Sequence, residues 1–363
     1  MPTKEPKIAL IHDWLTVPGG SERVLEVLHK MYPEAPIFTT IYNKKNFPQF
    51  SDAKIITSHL DKIPLAHKKY QIFIPLMPKA VESYDLSNYD IIISDSHACA
   101  KGAIKAKGAY HICYCHTPLR YVWFPDIDQR ANSSWIRKKA ANYLKKWDLA
   151  TINRVDEYYG NSNYICQRIK TIYHRDAGTI YPPVDINKWK TSDRVGKYFL
   201  FVSRLVSHKK AEIVIEAFNR LERPLKIVGD GPELENLRKI AKPNIEFTGR
   251  ISDDELKNIY SQTQALIFPS IDDFGIVPIE VMASGRPVIA INKGGASETI
   301  VEGKTGLHFE NVTPEAIISA VQKFNLNNFD SSEIRQWAEK FDTSLFIDNI
   351  KKAVAKATDK LEK

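Results

Sequence analysis

Asp272-Asp273-Phe274-Gly275-Ile276-Val277-Pro278-Ile279-Glu280, continued by Ala283-Ser284-Gly285-Arg286-Pro287-Val288, decides how this chain reads. The apolar run at 265–268 reads as a buried strand and the run from 288 as another, so the stretch is strand, loop, short helix, strand. A helix accepts proline only in its first turn, which starts this one at Ile276 or Val277; Gly285 and Pro287 stop it. The first N–H groups of such a helix have no partner within it and favour an anion above the sheet. Two carboxylates bracket that anion position, Asp272 on the loop and Glu280 one turn into the helix. Carboxylates are poor phosphate ligands but good acceptors for sugar hydroxyls, so a ligand carrying both groups, such as a nucleotide-sugar, fits.

The second half is regular around this stretch. Apolar runs predict strands at 198–203, 225–228, 245–247, 265–268, 288–291 and 307–309. Helical periodicity predicts helices at 210–221, 232–240, 253–261, 276–283, 296–302 and 314–323, with closing helices at 332–340 and 344–360. Six short strands each followed by a helix give an α/β, doubly wound parallel sheet. The first half repeats this grammar with strands at 7–12, 36–40, 90–94, 110–115 and 157–160 and helices at 21–31, 134–153 and 164–173. A less regular, proline-bearing stretch at 59–81 is expected to cap its edge. Runs such as Ile91-Ile92-Ile93 indicate strands covered on both faces. Tyr181-Pro182-Pro183-Val184-Asp185 reads as the linker, since paired prolines resist both helix and central strand. The expected organisation is a Rossmann-like domain at 1–183, a second at 184–341, and a terminal segment at 342–363 crossing back to the first. Ligands of open α/β sheets bind at the strand C-termini, where two such domains would form a cleft.

Composition bounds the function. At 363 residues two domains are expected, and 43% hydrophobic with 26% charged residues is ordinary for a globular protein. No apolar run reaches the ~18 residues of a membrane span, and the polar start shows no signal peptide. Four cysteines do not make a disulfide scaffold, which favours a reducing cytoplasm. The net charge of +8 is uneven: residues 1–185 hold 25 Lys and Arg against 18 Asp and Glu, the remainder 26 against 25. Arg137-Lys138-Lys139 and Lys145-Lys146 interleave with Trp135, Ile136, Tyr143, Leu144 and Trp147. That mix suits either an amphipathic helix on an anionic membrane or a solvated helix whose aromatics pack on the core. No nucleic-acid-binding module is recognisable, so nucleic acid is not an expected partner.

Strand 198–203 leads into Ser203-Arg204-Leu205-Val206-Ser207-His208-Lys209-Lys210. Arg204 and Lys209 emerge on the side of the Gly275 helix end, and a diphosphate needs two or more such cations; a solvated charged loop is the alternative. Gly229-Asp230-Gly231-Pro232 and Thr248-Gly249-Arg250-Ile251-Ser252 are tight strand-to-helix turns. Their glycines either admit a nucleobase close to the backbone or only make the turn. Val17-Pro18-Gly19-Gly20-Ser21 joins the first strand to the first helix without the spacing of a dinucleotide or P-loop motif. Cys113-Tyr114-Cys115-His116 ends a buried strand, and alternation of side chains argues against a metal set there. His116 at the strand exit then suits a sugar hydroxyl or a reacting oxygen, or is structural. Asp126-Ile127-Asp128 has a metal-binding spacing but precedes a polar helix instead of closing a strand, so no metal is expected.

In order, these residues resemble the retaining glycosyltransferases of family 4, which have the GT-B fold of two Rossmann-like domains. The family's E-x-F-G-x-x-x-x-E is similar to Asp272 through Glu280, followed by Ala283 through Ala290 and Gly294-Gly295-Ala296-Ser297-Glu298. Ser203-Arg204-Leu205-Val206 with Lys209-Lys210 looks like its R-x4-K. By that resemblance Arg204 and Lys209 neutralise the donor diphosphate, which Gly19 and Gly20 also approach. Glu280 accepts from the ribose, near Gly229, Gly249, Arg250 and Ile251 around the nucleoside. Asp272 and the Phe274, Gly275 and Ile276 backbone hold the donor sugar, and His116 bonds it near C6. Asp272 departs from the usual Glu and withdraws the carboxylate by one methylene. His12-Asp13-Trp14-Leu15-Thr16 and His116-Thr117-Pro118-Leu119-Arg120-Tyr121 most resemble mannosyltransferase-like members of bacterial surface-polysaccharide and O-antigen pathways. The resemblance implies sugar transfer from a donor such as GDP-mannose to a lipid-linked or membrane-associated glycan, with no metal or other cofactor. It implies a cytoplasmic protein in peripheral contact with the membrane. The rival readings are a non-catalytic nucleotide-sugar-binding subunit and a GT-B-like epimerase or phosphorylase.

Overall fold

A computed structural model describes residues 5–124 and 135–362. The chain forms two compact units: the first ends at Pro183 and takes back Phe346 onward, and the second is Val184–Leu345.

The first unit holds seven parallel strands among the described residues: β1 (Ile8–His12), β2 (Ile37–Thr39), β3 (Ile55–Thr57), β4 (Ile91–Ser96), β5 (Tyr110–Cys115), β6 (Glu157–Gly160) and β7 (Ala177–Thr179). Their order, β3-β2-β1-β4-β5-β6-β7, winds outward from a switch point between β1 and β4. The isoleucine run is explained by the two faces. Ile91 and Ile93 join Leu10, Ile112 and Tyr114 under the helices Gly20–Met31 and Thr343–Leu361. Ile92 joins Ala9, Ile11 and Phe38 under the segment that follows β3. Burying each such side chain stabilises the fold by about 1.5–3 kcal/mol. The C-terminal helix contributes Phe346, Ile350, Ala353 and Ala357 to this core, and Phe346 meets the Tyr114 ring edge-on at 5.7 Å.

Two strands escaped the sequence reading, β3 and β7. Both are three-residue edge strands, too short for periodicity, and β7 contains Gly178, where a Cβ would meet the Tyr159 ring at 2.9 Å. The irregular stretch after β3 consists of 3₁₀ turns and the short helices Pro64–Lys68 and Met77–Glu82, with Pro64 and Pro78 in their first turns. The helix Trp135–Ala150 packs part of its aromatic side chains and exposes the rest. Leu144 is buried and the Trp147 indole donates to Glu82 (2.8 Å), whereas Trp135 is 73% exposed and Tyr143 is also exposed.

The second unit has six parallel strands: β8 (Phe199–Val202), β9 (Leu225–Val228), β10 (Ile245–Gly249), β11 (Leu266–Phe268), β12 (Val288–Ile291) and β13 (Gly306–Phe309). The order β10-β9-β8-β11-β12-β13 places its switch point between β8 and β11. Phe199, Phe201, Ile227, Ile267 and Ile289 pack against Val214, Phe218, Ile317 and Val321 of the flanking helices. The helix expected at 296–302 ends at Thr299. Ile300 is extended, and Val301 turns back through its N–H to Thr305 Oγ1 (2.8 Å), with Gly303 at φ +74°. All four cysteines are free thiols. No described helix is long and apolar enough to cross a membrane.

Candidate active site

In the second unit the loops after β8 and β11, the strands at the switch point, carry most of the expected residues. Lys209 and Asp272, 63 residues apart, meet directly: Lys209 Nζ lies 2.8 Å from Oδ1 and 2.5 Å from Oδ2 of Asp272. Both side chains keep about a fifth to a quarter of their surface in solvent (21% and 24%). The sequence reading gave Lys209 to phosphate and Asp272 to sugar; the structure joins them in one ion pair. Gly275, at φ +90°, caps the helix Ile276–Ala283 without any side-chain bond, and Pro278 sits in its first turn. Only glycine adopts that backbone readily.

The Asp272–Gly275 backbone is buttressed by Gly294 and Gly295. Gly295 N–H donates to Asp272 O (2.9 Å). A Cβ at Gly294 would fall 2.5 Å from Asp272 O, and one at Gly295 2.2 Å from Phe274 O. Phe274 is buried against Phe341, with ring centroids 5.7 Å apart. The second carboxylate of the motif, Glu280, is only 5% exposed and accepts from Tyr260 Oη at 3.3 Å. Tyr260 stacks on Trp189 at 4.8 Å, so Glu280 stands against a rigid wall. Arg286 is structural: its guanidinium donates to the carbonyls of Ser261 (2.7 Å) and Ser192 (2.5 Å).

Arg204 is exposed at the start of its loop. A Cβ at Gly229 would lie 1.9 Å from Ser203 O and one at Gly231 2.2 Å from Leu205 O. The close approach that Gly229 permits is therefore to the Arg204 loop itself, and glycine there is explained by the packing of two turns. Gly249 has φ +69° and nothing within 4 Å of a Cβ position, so its backbone conformation is what selects glycine. Arg250 is exposed, with Nε 3.6 Å from Asp230, and Ile251 is half-buried beside it.

In the first unit, the C-terminal ends of strands β1, β4 and β5 bring titratable residues together. Register sets His12 opposite Asp95, and His116 follows the Ser96–Cys115 pair, its N–H donating to Ser96 O (2.8 Å). Asp95 accepts from His12 Nδ1 at 2.9 Å and from His116 Nε2 at 2.5 Å. His12 Nε2 lies 3.7 Å from Glu22 Oε1, an ion pair beyond hydrogen-bond reach. Burial opposes charging His12, but the Asp95 hydrogen bond and the Glu22 carboxylate outweigh it and push its pKa up to about 10. Burial likewise opposes charge on Asp95, and the two imidazoles outweigh it and hold the carboxyl down at about 2. Glu22 is also held below the usual range, its burial outweighed by His12. Asp13 accepts backbone N–H bonds from His97, Ala98, Cys99 and Ala100 at 2.5–2.8 Å, which fixes the turn after β4. Burial pushes the His97 pKa down.

Gly19 and Gly20 are exposed where the helix Gly20–Met31 begins, and a Cβ at Gly19 would meet Glu22 Oε2 at 3.0 Å. Sequence reasoning singled out His116 but missed Asp95, Glu22 and His97, and quoted His12 without a role. The available signal was polar residues at the ends of apolar strand runs: His12 after Ile11, Ser94-Asp95 after the three isoleucines, His116 after Cys115. Cys113 and Cys115 lie in an apolar cluster with Tyr158 and Ile165. Asp126 and Asp128 lie outside the described residues. Among the described residues no group of His, Cys, Asp and Glu is arranged to hold a metal ion.

Comparison with known proteins agrees with this architecture. Two family descriptions match back to back, Glycosyltransferase Family 4 over residues 18–188 and Glycosyl transferases group 1 over residues 185–341. The chain belongs to this glycosyltransferase family, and its two parallel-sheet units are those of the GT-B fold. A GDP-mannose-dependent alpha-(1-6)-phosphatidylinositol monomannoside mannosyltransferase of Mycobacterium tuberculosis is 35% identical over 33% of this chain and 36% of its own length. Alpha-1,3/1,6-mannosyltransferase ALG2 of Candida glabrata is 24% identical over 83% of this chain and 79% of its own length. The chain spans between 36% and 48% of the length of the first curated relatives it matches. Among solved structures, Anabaena Alr3699/HepE in complex with UDP superposes with a TM-score of 0.72 at 19% identity, covering 96% of this chain and all of that one.

Proposed function

We propose that this protein is a retaining hexosyltransferase that moves mannose from GDP-mannose to a hydroxyl of a lipid-linked or membrane-associated glycan. The observation that carries this reading is the convergence of Lys209, Asp272 and the Gly275 helix end at one switch point. That set offers a cation, a carboxylate and a helix N-terminus to a ligand with phosphate and sugar groups. Matches to mannosyltransferases support the sugar. In the reaction the bond from the anomeric carbon to the diphosphate oxygen breaks while positive charge grows on the sugar. Arg204, Lys209 and the helix amides stabilise the departing oxygens, which makes a metal unnecessary. The acceptor hydroxyl attacks from the face the diphosphate leaves, and the departing oxygen takes its proton, so configuration is retained. In the second unit Glu280 is the residue for the ribose, and Asp272 and the Phe274–Ile276 backbone for the donor sugar; in the first unit His116 is the residue for a sugar hydroxyl, and Gly19 and Gly20 for phosphate.

Peripheral membrane contact of the first unit is part of the same proposal, and it is supported by exposed side chains there. Trp135, Tyr143, Leu65, Ile72 and Leu76 are exposed, among the exposed Lys62, Lys68, Lys69, Lys79, Lys138 and Lys139. That composition suits an anionic membrane surface.

The test is titration calorimetry with GDP and GDP-mannose, with and without EDTA. Arg204→Ala and Lys209→Ala are each expected to weaken GDP about tenfold or more, the loss of one charge-assisted contact. Unchanged GDP affinity in both variants removes the phosphate assignment, and a requirement for Mn²⁺ removes the metal-free mechanism. Donor binding without any turnover favours the non-catalytic subunit.

A further inference from the structure

Asp95 is fully buried, and its two oxygens are taken by two different imidazoles, Oδ2 by His12 and Oδ1 by His116. Three parallel strands bring them together, and the register leaves little freedom to any of the three. An ionised carboxylate only accepts hydrogen bonds, so a ring nitrogen 2.5 Å away carries the proton. For His116 that nitrogen is Nε2, which leaves Nδ1 as the atom directed elsewhere. On the far side His12 is flanked by Glu22, one turn below the Gly19–Gly20 loop, so the network runs from that loop through β1 and β4 to the end of β5. A histidine tautomer is set by the partner of its other nitrogen, and misplacing that proton disables the ring without displacing it.

We propose that Asp95 is the positioning residue for His116: it locks the ring proton on Nε2 and thereby presents Nδ1 as an acceptor to a hydroxyl of the donor sugar, with His12 and Glu22 holding Asp95 from behind. This rests on the reading of His116 as the sugar contact. Asp95 itself touches no substrate in this scheme. His12 takes the second oxygen, so the carboxylate cannot rotate away from His116 without losing a second buried bond.

The experiment is a long-range ¹H–¹⁵N correlation spectrum of the full chain with ¹⁵N-labelled histidine near pH 8, His116 being identified by its loss in His116→Asn. The expected result is a protonated Nε2 and an unprotonated Nδ1. A proton on Nδ1 overturns the proposal, and this measurement needs neither a donor nor a variant of Asp95. In Asp95→Asn the His116 tautomer is expected to shift, and kcat for release of GDP from GDP-mannose to fall about 10-fold or more with KM little changed. In the His116→Asn background the same Asp95 substitution is expected to add nothing; a further loss of equal size marks a merely structural role and overturns it. Should the wild type neither bind nor turn over GDP-mannose, the donor reading fails while the tautomer result still decides the role of Asp95.

Discussion

The two units repeat one architecture, a parallel sheet with a central switch point, and equip it in opposite ways. At the switch of the first, His12, Asp95 and Glu22 are buried and hold one another in fixed protonation states. At the switch of the second, Lys209 and Asp272 form an ion pair that keeps part of its surface in water, and Arg204 is exposed. Removing one member of a buried charged network leaves its partner uncompensated and costs about 3–5 kcal/mol, whereas a solvent-facing pair contributes about 0–1 kcal/mol. The second arrangement is easily exchanged for a ligand and the first is not.

The sharpest break in that contrast is Asp13→Ala. Four backbone donors lose their acceptor, and the urea midpoint is expected to drop by an amount equivalent to about 3–5 kcal/mol; a loss below about 1 kcal/mol contradicts the fixed character of the first unit. A smaller effect follows from His12. Its pKa is raised when folded, to about 10, so its contribution is complete below about pH 6.5 and is lost as the pH climbs toward 10. Stability measured by urea unfolding is expected to decline across that window by at most about 1.4 kcal/mol per pH unit, and His12→Asn to flatten the slope. A wild-type profile with no decline between pH 7 and 9 removes the charged His12. The smallest effect belongs to Lys209→Ala, expected to change stability by less than about 1 kcal/mol even as it weakens GDP. A large destabilisation there would erase the distinction between the two units.

Much of the fold was readable because central strands are long and apolar on both faces, as at 91–93, and because Pro278 and Gly285 mark the ends of one helix. Edge strands β3 and β7 were not: each is three residues long and only partly buried, unlike the equally short but fully buried β2 and β11. The sites were legible as chemistry but not as contacts. Arg204, Lys209, Asp272, Glu280 and His116 were singled out by type and position, yet nothing in the sequence joins Lys209 to Asp272 across 63 residues. Asp95 and Glu22 were hidden differently. A carboxylate at a strand end or in a first helical turn is usually solvated; here the pairing of β1 with β4 covers Asp95, and the start of the helix Gly20–Met31 brings Glu22 to His12.

Translation order gives the C-terminal helix a further meaning. Phe346, Ile350 and Ala357 seal Leu10, Ile93 and Tyr114, but they are synthesised after the whole of the second sheet. As the nascent chain leaves the ribosome, that face of the first sheet is covered by the helix Gly20–Met31 alone until the helix Thr343–Leu361 emerges. The earliest part of this protein to be made is thus completed late, and a fragment cut at Pro183 keeps only the helix Gly20–Met31 over this apolar face.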